Sequence, residues 1–259
     1  MTTQELLDPI PIAVVFLLFG LVTLVCYEAG YRLGRWWQDR TPGEQEATGM
    51  LVGSIVALMA FLLAVTMGMA SDRFDTRRGL VLEEANAIGT TYLRAGYLPA
   101  PAGDDSRDLL REYVPLRIAT NDRAQLQANI ERSVEIQTEL WAIAEELART
   151  TDQGDLVGLY IESLNEVIDL HETRVVAGIY ARVPETILLI LIGGSALSLG
   201  MVGYSAGLTH RRGLISAIVL VIALGAVITL VVDLDRPRDG FLQVSQQPLL
   251  DLQQQVGPP

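Results

Sequence analysis

The chain has 259 residues, 50% hydrophobic and 19% charged, with a formal net charge of −12 and a mean hydropathy of +0.32. All of its basic residues are arginine. An apolar chain of this kind is not disordered, and an acidic one lacks the basic footprint of a nucleic-acid binder. A single cysteine, Cys26, excludes an internal disulfide framework. With His171 and His210, it leaves too few ligands for a zinc or haem centre, so no cofactor is expected.

In chain order, the first element is an uncharged stretch over residues 9–27, PIPIAVVFLLFGLVTLVCY. A second covers 47–71, a third 186–209 and a fourth 213–232. A hydrocarbon core of ~30 Å needs ~20 apolar residues in a helix, and all four stretches qualify. The first reads as a retained span rather than a signal peptide, because MTTQELLD before it carries acids and no arginine. Tyr27, Tyr31, Trp36 and Trp37 follow it, as expected of rings at headgroup depth. Only THRRG separates spans three and four, which predicts an antiparallel hairpin.

Residues 72–185 form an extramembrane insert that holds most of the acidity. Its apolar residues recur with the helical period and show no strand alternation. Asp72 to about Tyr97 continues from span two until Pro99, Pro101 and Gly103 stop it. Asp104 to Ser106 offer caps for a short helix to about Ile118, with Pro115 expected to kink it. Asn121 or Asp122 caps the next, whose expected inner stripe is Leu126, Ile130, Val134, Leu140 or Trp141, Ile143 and Leu147. Thr151, Asp152 and Gly154 form a turn. The last helix runs from about Asp155 to Arg182, with Tyr160, Leu164, Ile168, His171, Val175 and Ile179 inward. The fourth span should stop at Asp233 and Asp235. Beyond it an arginine–carboxylate cluster (Asp233, Asp235, Arg236, Arg238 and Asp239) should pin the tail, and Phe241, Val244, Pro248 and Leu249 should pack as a strand-like or irregular segment. The reading is an all-α integral membrane protein with four spans. Its segments are residues 1–71, an N-terminal membrane hairpin; 72–185, a helical bundle; 186–232, a second hairpin; and 233–259, a tail.

Arginine density in the short loops (Arg32, Arg35, Arg40, Arg211, Arg212) exceeds that on the other side (Arg73, Arg77, Arg78, Arg174, Arg182, Arg236, Arg238). By the positive-inside rule this places the insert on the outer face of a bacterial inner membrane.

No Asp, Glu, Lys, Arg or His lies within the four stretches. That argues against a proton pump with a mid-membrane carboxylate, but leaves room for a pore lined by backbone and small residues. Gly53, Ala57, Ala60, Ala64 and Gly68 recur at i+3/i+4 along span two, and Gly193, Gly194, Ser198, Gly200, Gly203 and Gly207 along span three. Such faces serve close helix packing; on span two they are also the candidate pore lining. Glu83, Glu84, Asn86, Thr90 and Arg94 follow span two, and Asn165, Asp169, His171 and Arg174 precede span three. Glu84, Asn86, Thr90, Asn165, Asp169, Arg174, Asp235 and Arg236 are the candidate polar network at a membrane mouth. Asn86 shares a face with Leu82, Gly89 and Leu93 and is expected to be buried. Glu162, Glu166, Asp169 and Thr173 make a carboxylate stripe that reads as solvated rather than as a metal site. No nucleophile, P-loop or dinucleotide motif occurs, so no catalytic residue is assigned.

Three segments, SDRFDTRRGLVLEEANAIGTTYLRAGYLP, SLNEVIDLHETRVVAGIYARVP and DLDRPRDGFLQVSQQPLLDLQ, resemble the signatures of a bacterial membrane family of unknown function with a bestrophin-like domain. The resemblance covers most of the chain in the same order. It implies an oligomeric ion channel in the lipid bilayer with span two lining the pore and a small ion as its partner. Bestrophins carry a cytoplasmic helical domain, the opposite side from the arginine count. They also gather phenylalanines into a pore neck, whereas Phe16, Phe19 and Phe61 are scattered here. The alternative function is a non-enzymatic sensor or scaffold whose acidic bundle binds a ligand or partner.

Overall fold

A computed structural model describes residues 10–38, 44–179, 181–210, 212–236 and 240–258, with the backbone alone for 44–47. Arg40, Arg211, Arg238 and Asp239, named above, lie outside the described residues. The described elements are helices: α1 (Ile12–Trp37), α2 (Glu44–Ala95), α3 (Ala102–Leu116), α4 (Arg123–Thr150), α5 (Gly154–Ile179), α6 (Glu185–Leu208), α7 (Leu214–Asp235) and α8 (Gln247–Val256). Four of them, α1, α2, α6 and α7, are long and apolar enough to cross a bilayer. The chain divides into two units, Met1–Arg73 with Arg182–Leu242, and Phe74–Ala181 with Gln243–Pro259.

In the first unit, α1 and α6 pack backbone to backbone. A Cβ on Gly30 would run into the carbonyl of Gly200, one on Gly203 into that of Tyr27, and one on Gly207 into that of Tyr31. Lipid tails are as apolar as leucine, so hydrophobicity gives helices in a bilayer little reason to associate, and close van der Waals approach supplies the attraction instead. Tyr27 and Tyr31 are consequently buried against α6, while Trp36 and Trp37 remain exposed. The Tyr27 hydroxyl donates to the carbonyl of Arg212 at 3.0 Å. Glu28 binds both Arg32 (2.8 Å) and Arg212 (2.7 Å), which ties α1 to the short turn between α6 and α7.

The fourth span ends where the sequence places its stop: α7 finishes at Asp235, and Asp233 and Asp235 are both buried. Each accepts hydrogen bonds from backbone N–H groups. Asp233 accepts the backbone N–H groups of Phe241 (2.8 Å) and Leu242 (3.0 Å), and Asp235 accepts that of Val183 (2.7 Å). Arg236 donates to the carbonyl of Ile10 at 2.8 Å.

In the second unit, a core built on Ile88, Leu110, Tyr113, Leu140, Tyr160 and Leu164 excludes water. The short helix begins at Ala102, earlier than the expected caps, so Asp104 and Asp105 sit in its first turn, where the positive end of the helix dipole favours them. Pro115 does not kink it. Proline lies in the last turn and the helix ends one residue later, at Leu116. Asp122 caps α4 as expected, accepting from Ala124 N (2.9 Å) and Gln125 N (3.4 Å). The inner face of α4 is Ser133, Ile136, Gln137, Leu140, Ala144 and Leu147, rotated from the expected stripe and leaving Val134 exposed. The rotation follows from polar satisfaction: Ser133 bonds back to the carbonyl of Asn129 (2.7 Å) and Gln137 reaches Tyr113 (2.9 Å), so both can turn inward.

The tail is irregular over residues 240–246, where Val244 packs against the core, and then turns helical. It forms α8, with Pro248 in the first turn and Leu249, Leu252 and Val256 buried in the core. Phe241, expected to pack, is exposed. The carbonyl of Val256 accepts from Arg111 Nε at 2.9 Å, a cation at a helix C-terminus, and Gly257, at φ 84°, ends the helix in a backbone region that suits glycine.

Candidate functional site

The five small residues of span two share one fate. Gly53, Ala57, Ala60, Ala64 and Gly68 all lie exposed along one face of α2. Nothing comes within 4 Å of a Cβ built on Gly53 or Gly68. The opposite face of the same helix is buried through Met59, Leu63, Thr66 and Ala70. Met59 is the side chain that meets Gly194 on α6. The stripe is therefore not used for packing within the unit.

The expected polar network divides. Asn86 and Thr90 are exposed, because the face they share points outward, with Leu82 and Leu93 also exposed beside Asn86. Asn165 and Asp169 bond to each other on the surface at 3.0 Å. Arg94 joins Glu162 at 3.4 Å in an exposed pair. Asp235 and Arg236 belong to the first unit, with the backbone partners given above. Glu84 and Arg174 come together from different helices. Among the described residues no group of His, Cys, Asp and Glu side chains is placed to hold a metal ion.

Glu84 is fully buried and binds two arginines. Arg117 Nε donates to one carboxylate oxygen at 2.7 Å, and Arg174 donates to the other. Arg174 also donates to Gln246 Oε1 at 2.9 Å, which brings in the segment before α8. Tyr113, at the end of α3, lies with its ring centroid 5.8 Å from the Arg117 guanidinium. Its hydroxyl meets Gln137 Nε2 (2.9 Å) and His171 Nδ1 (3.2 Å). Burial pushes the Tyr113 hydroxyl up to about 12 and the His171 imidazole down to about 3, the latter helped by the positive Arg117 and Arg174. Burial also lowers Arg174, and the Glu84 carboxylate opposes that shift. At neutral pH the cluster thus holds two cations, one anion and a neutral histidine.

A family model described as the bestrophin-like domain matches residues 16–249. The chain belongs to the bestrophin-like family. No curated protein sequence compared with it matches. Solved structures similar to this bestrophin-like chain include a variant of a bacterial bestrophin homologue from Klebsiella pneumoniae. That structure has a TM-score of 0.64 at 16% identity, covering 95% of this chain and 97% of the other. A second structure of that homologue scores 0.61 at 16% identity, covering 94% and 98%. A variant of a membrane protein scores 0.68 at 16% identity, covering 95% and 97%. At such identity the likeness is one of fold: four apolar helices and a helical extramembrane unit in one chain.

Sequence reasoning missed Tyr113, Arg117, Gln137 and Gln246. Glu84 carried a usable signal, because it sits on the i+3/i+4 stripe Val81, Glu84, Ile88, Thr91 and Ala95, all buried. A carboxylate on an apolar helix face needs a partner. Arg117 had no comparable pattern: it follows Pro115 at the end of a helix and reaches Glu84 only through the tertiary fold.

Proposed function

We propose that the chain conducts ions as a homo-oligomer in the membrane, with α2 from each copy lining a shared path. The carrying observation is the unbroken exposed stripe of Gly53, Ala57, Ala60, Ala64 and Gly68 on an apolar helix whose other face is packed. Small side chains let equivalent helices approach an axis closely and present backbone to a narrow lumen. Family membership supports the reading, as does the lack of charged residues in that stretch.

Purified protein in liposomes should carry ion flux above empty vesicles. Replacing Ala60 or Ala64 with leucine should block flux while leaving the protein folded. Absence of flux across several salts and pH values would overturn the proposal, as would a monomer in detergent and in bilayers. Bacterial inner-membrane placement belongs to the same proposal. Arginine density supports an outer-face insert and the resemblance to bestrophins supports a cytoplasmic one. Alkaline phosphatase fused at residue 150 separates them, being active only outside.

A further inference from the structure

The end of α7 is tied to two other chain passages within the membrane unit. Asp235, the last residue of α7, accepts the N–H of Val183, just before α6 begins, at 2.7 Å. Arg236 donates to the carbonyl of Ile10, just before α1 begins, at 2.8 Å. The starts of two spans and the end of a third therefore lie at one level. Apolar helices of bilayer length begin and end there, so that level marks the edge of the hydrocarbon.

The chain beyond α7 doubles back onto this level. Asp233, in the last turn of α7 and buried, accepts the N–H of Phe241 on one carboxylate oxygen (2.8 Å) and that of Leu242 on the other (3.0 Å). Gly240 permits the close approach: a Cβ there would stand 2.9 Å from Asp233 Oδ1 and 3.0 Å from the Asp233 carbonyl oxygen. Charge-assisted bonds of this kind are the strong ones, and two in succession fix the backbone of both residues. Their side chains are turned outward. Phe241 is 84% exposed and Leu242 44%, and among the described residues no large apolar side chain is more exposed than Phe241.

Single exposed apolar residues are ordinary on a protein surface. Here, however, a buried carboxylate, a glycine and two backbone donors combine to hold an apolar pair outward at the depth where spans end. The neighbouring surface says what covers the pair. α7 exposes Ile215, Val219, Ile222 and Leu230 on a helix whose span carries no charge, a surface suited to lipid.

We propose that Phe241 and Leu242 form an interfacial anchor that inserts into the headgroup–acyl boundary of a phospholipid bilayer, held at that depth by Asp233. Phenylalanine and leucine are residues of the apolar faces that sink about 5–10 Å into this layer. The anchor sets how deep the end of α7 sits. Through Asp235 and Arg236 it sets the level of Val183 and Ile10 as well.

The test uses the full chain with Cys26→Ser, reconstituted in vesicles of phosphatidylethanolamine and phosphatidylglycerol. A nitroxide is attached at Phe241→Cys, or at Glu146→Cys, an exposed position on α4, as the water reference. Paramagnetic resonance compares its collisions with oxygen, which concentrates in lipid, and with a water-soluble nickel complex. The ratio of oxygen to nickel collisions at 241 should exceed that at 146 several-fold. Asp233→Ala, which removes both backbone acceptors, should lower the ratio at 241 towards the reference. A ratio at 241 equal to that at 146 overturns the proposal. So does a label shielded from both reagents, which would mean that protein, such as a second copy of the chain, covers the site. An unchanged depth in a folded Asp233→Ala chain overturns the role of Asp233. Should that variant fail to fold, the label at 241 in the otherwise intact chain decides.

Discussion

The two units solve the same problem, holding helices together, with opposite chemistry. In the membrane unit the joints are absences of side chain: Gly30, Gly200, Gly203 and Gly207 let α1 and α6 touch through their backbones. In the extramembrane unit the joints are large and polar side chains, with Tyr113 and Tyr160 fully buried and Glu84 clasped by two arginines. The difference follows from the solvent. In lipid, burying leucine gains nothing over leaving it in the chains, so shape decides. In water, apolar burial stabilises the core at roughly 25 cal/mol per Å², which leaves latitude for a satisfied ionic cluster that fixes which helices meet.

That contrast can be broken from either side. The largest effect is expected for Glu84→Gln, which leaves two buried guanidinium groups facing each other. A loss of about 3–5 kcal/mol is the usual result of removing one partner from a buried pair, and chemical denaturation of the extramembrane unit should read it. Replacing Gly203 with leucine drives a side chain into the Tyr27 carbonyl and should cost about 1–3 kcal/mol. Its readout is the thermal midpoint in detergent, with the Glu84 cluster unaffected.

Acidification separates the units without mutation. The folded value for His171, about 3, lies below its ordinary 6.5. Its contribution to stability is therefore whole above about pH 6.5 and is lost as pH falls towards 3, at no more than about 1.4 kcal/mol per pH unit. Replacing His171 with glutamine should make the pH profile of the extramembrane unit shallower in that window. The smallest effect is expected at the cap of α4. Asp122→Ala removes two backbone acceptor bonds and should cost about 1 kcal/mol by denaturant titration.

Legibility in the sequence followed the same divide. The four membrane helices were readable because length and absence of charge are local properties. So were the long helix through Glu84 and the Asp122 cap. The Glu84 partners were not, since Arg117 lies 33 residues away and Arg174 lies 90 away, and no local period links them. The α8 helix was hidden for a related reason. QPLLDLQQQV is ten residues long and marginal alone, and it becomes a helix because Leu249, Leu252 and Val256 dock in a core supplied by distant elements. Asp233 and Asp235 marked the end of the fourth span because charge ends a span, and α7 does finish at Asp235. Nothing local shows that Phe241, Leu242 and Val183 will return N–H groups to them.

Docking of α8 also dictates an order of events during synthesis. The groove that receives Leu249 is complete once α5 has been made, yet α6 and α7 are translated before its occupant emerges. At 5–20 residues per second the ribosome needs roughly 3–14 s to travel from Ile179 to Gln247. Through that interval the nascent bundle carries an open apolar slot, and Arg174 lacks its Gln246 acceptor. The second membrane hairpin is therefore made before the bundle can close, so a chain stalled between the two events would present a half-finished, sticky intermediate to the cell's quality-control machinery.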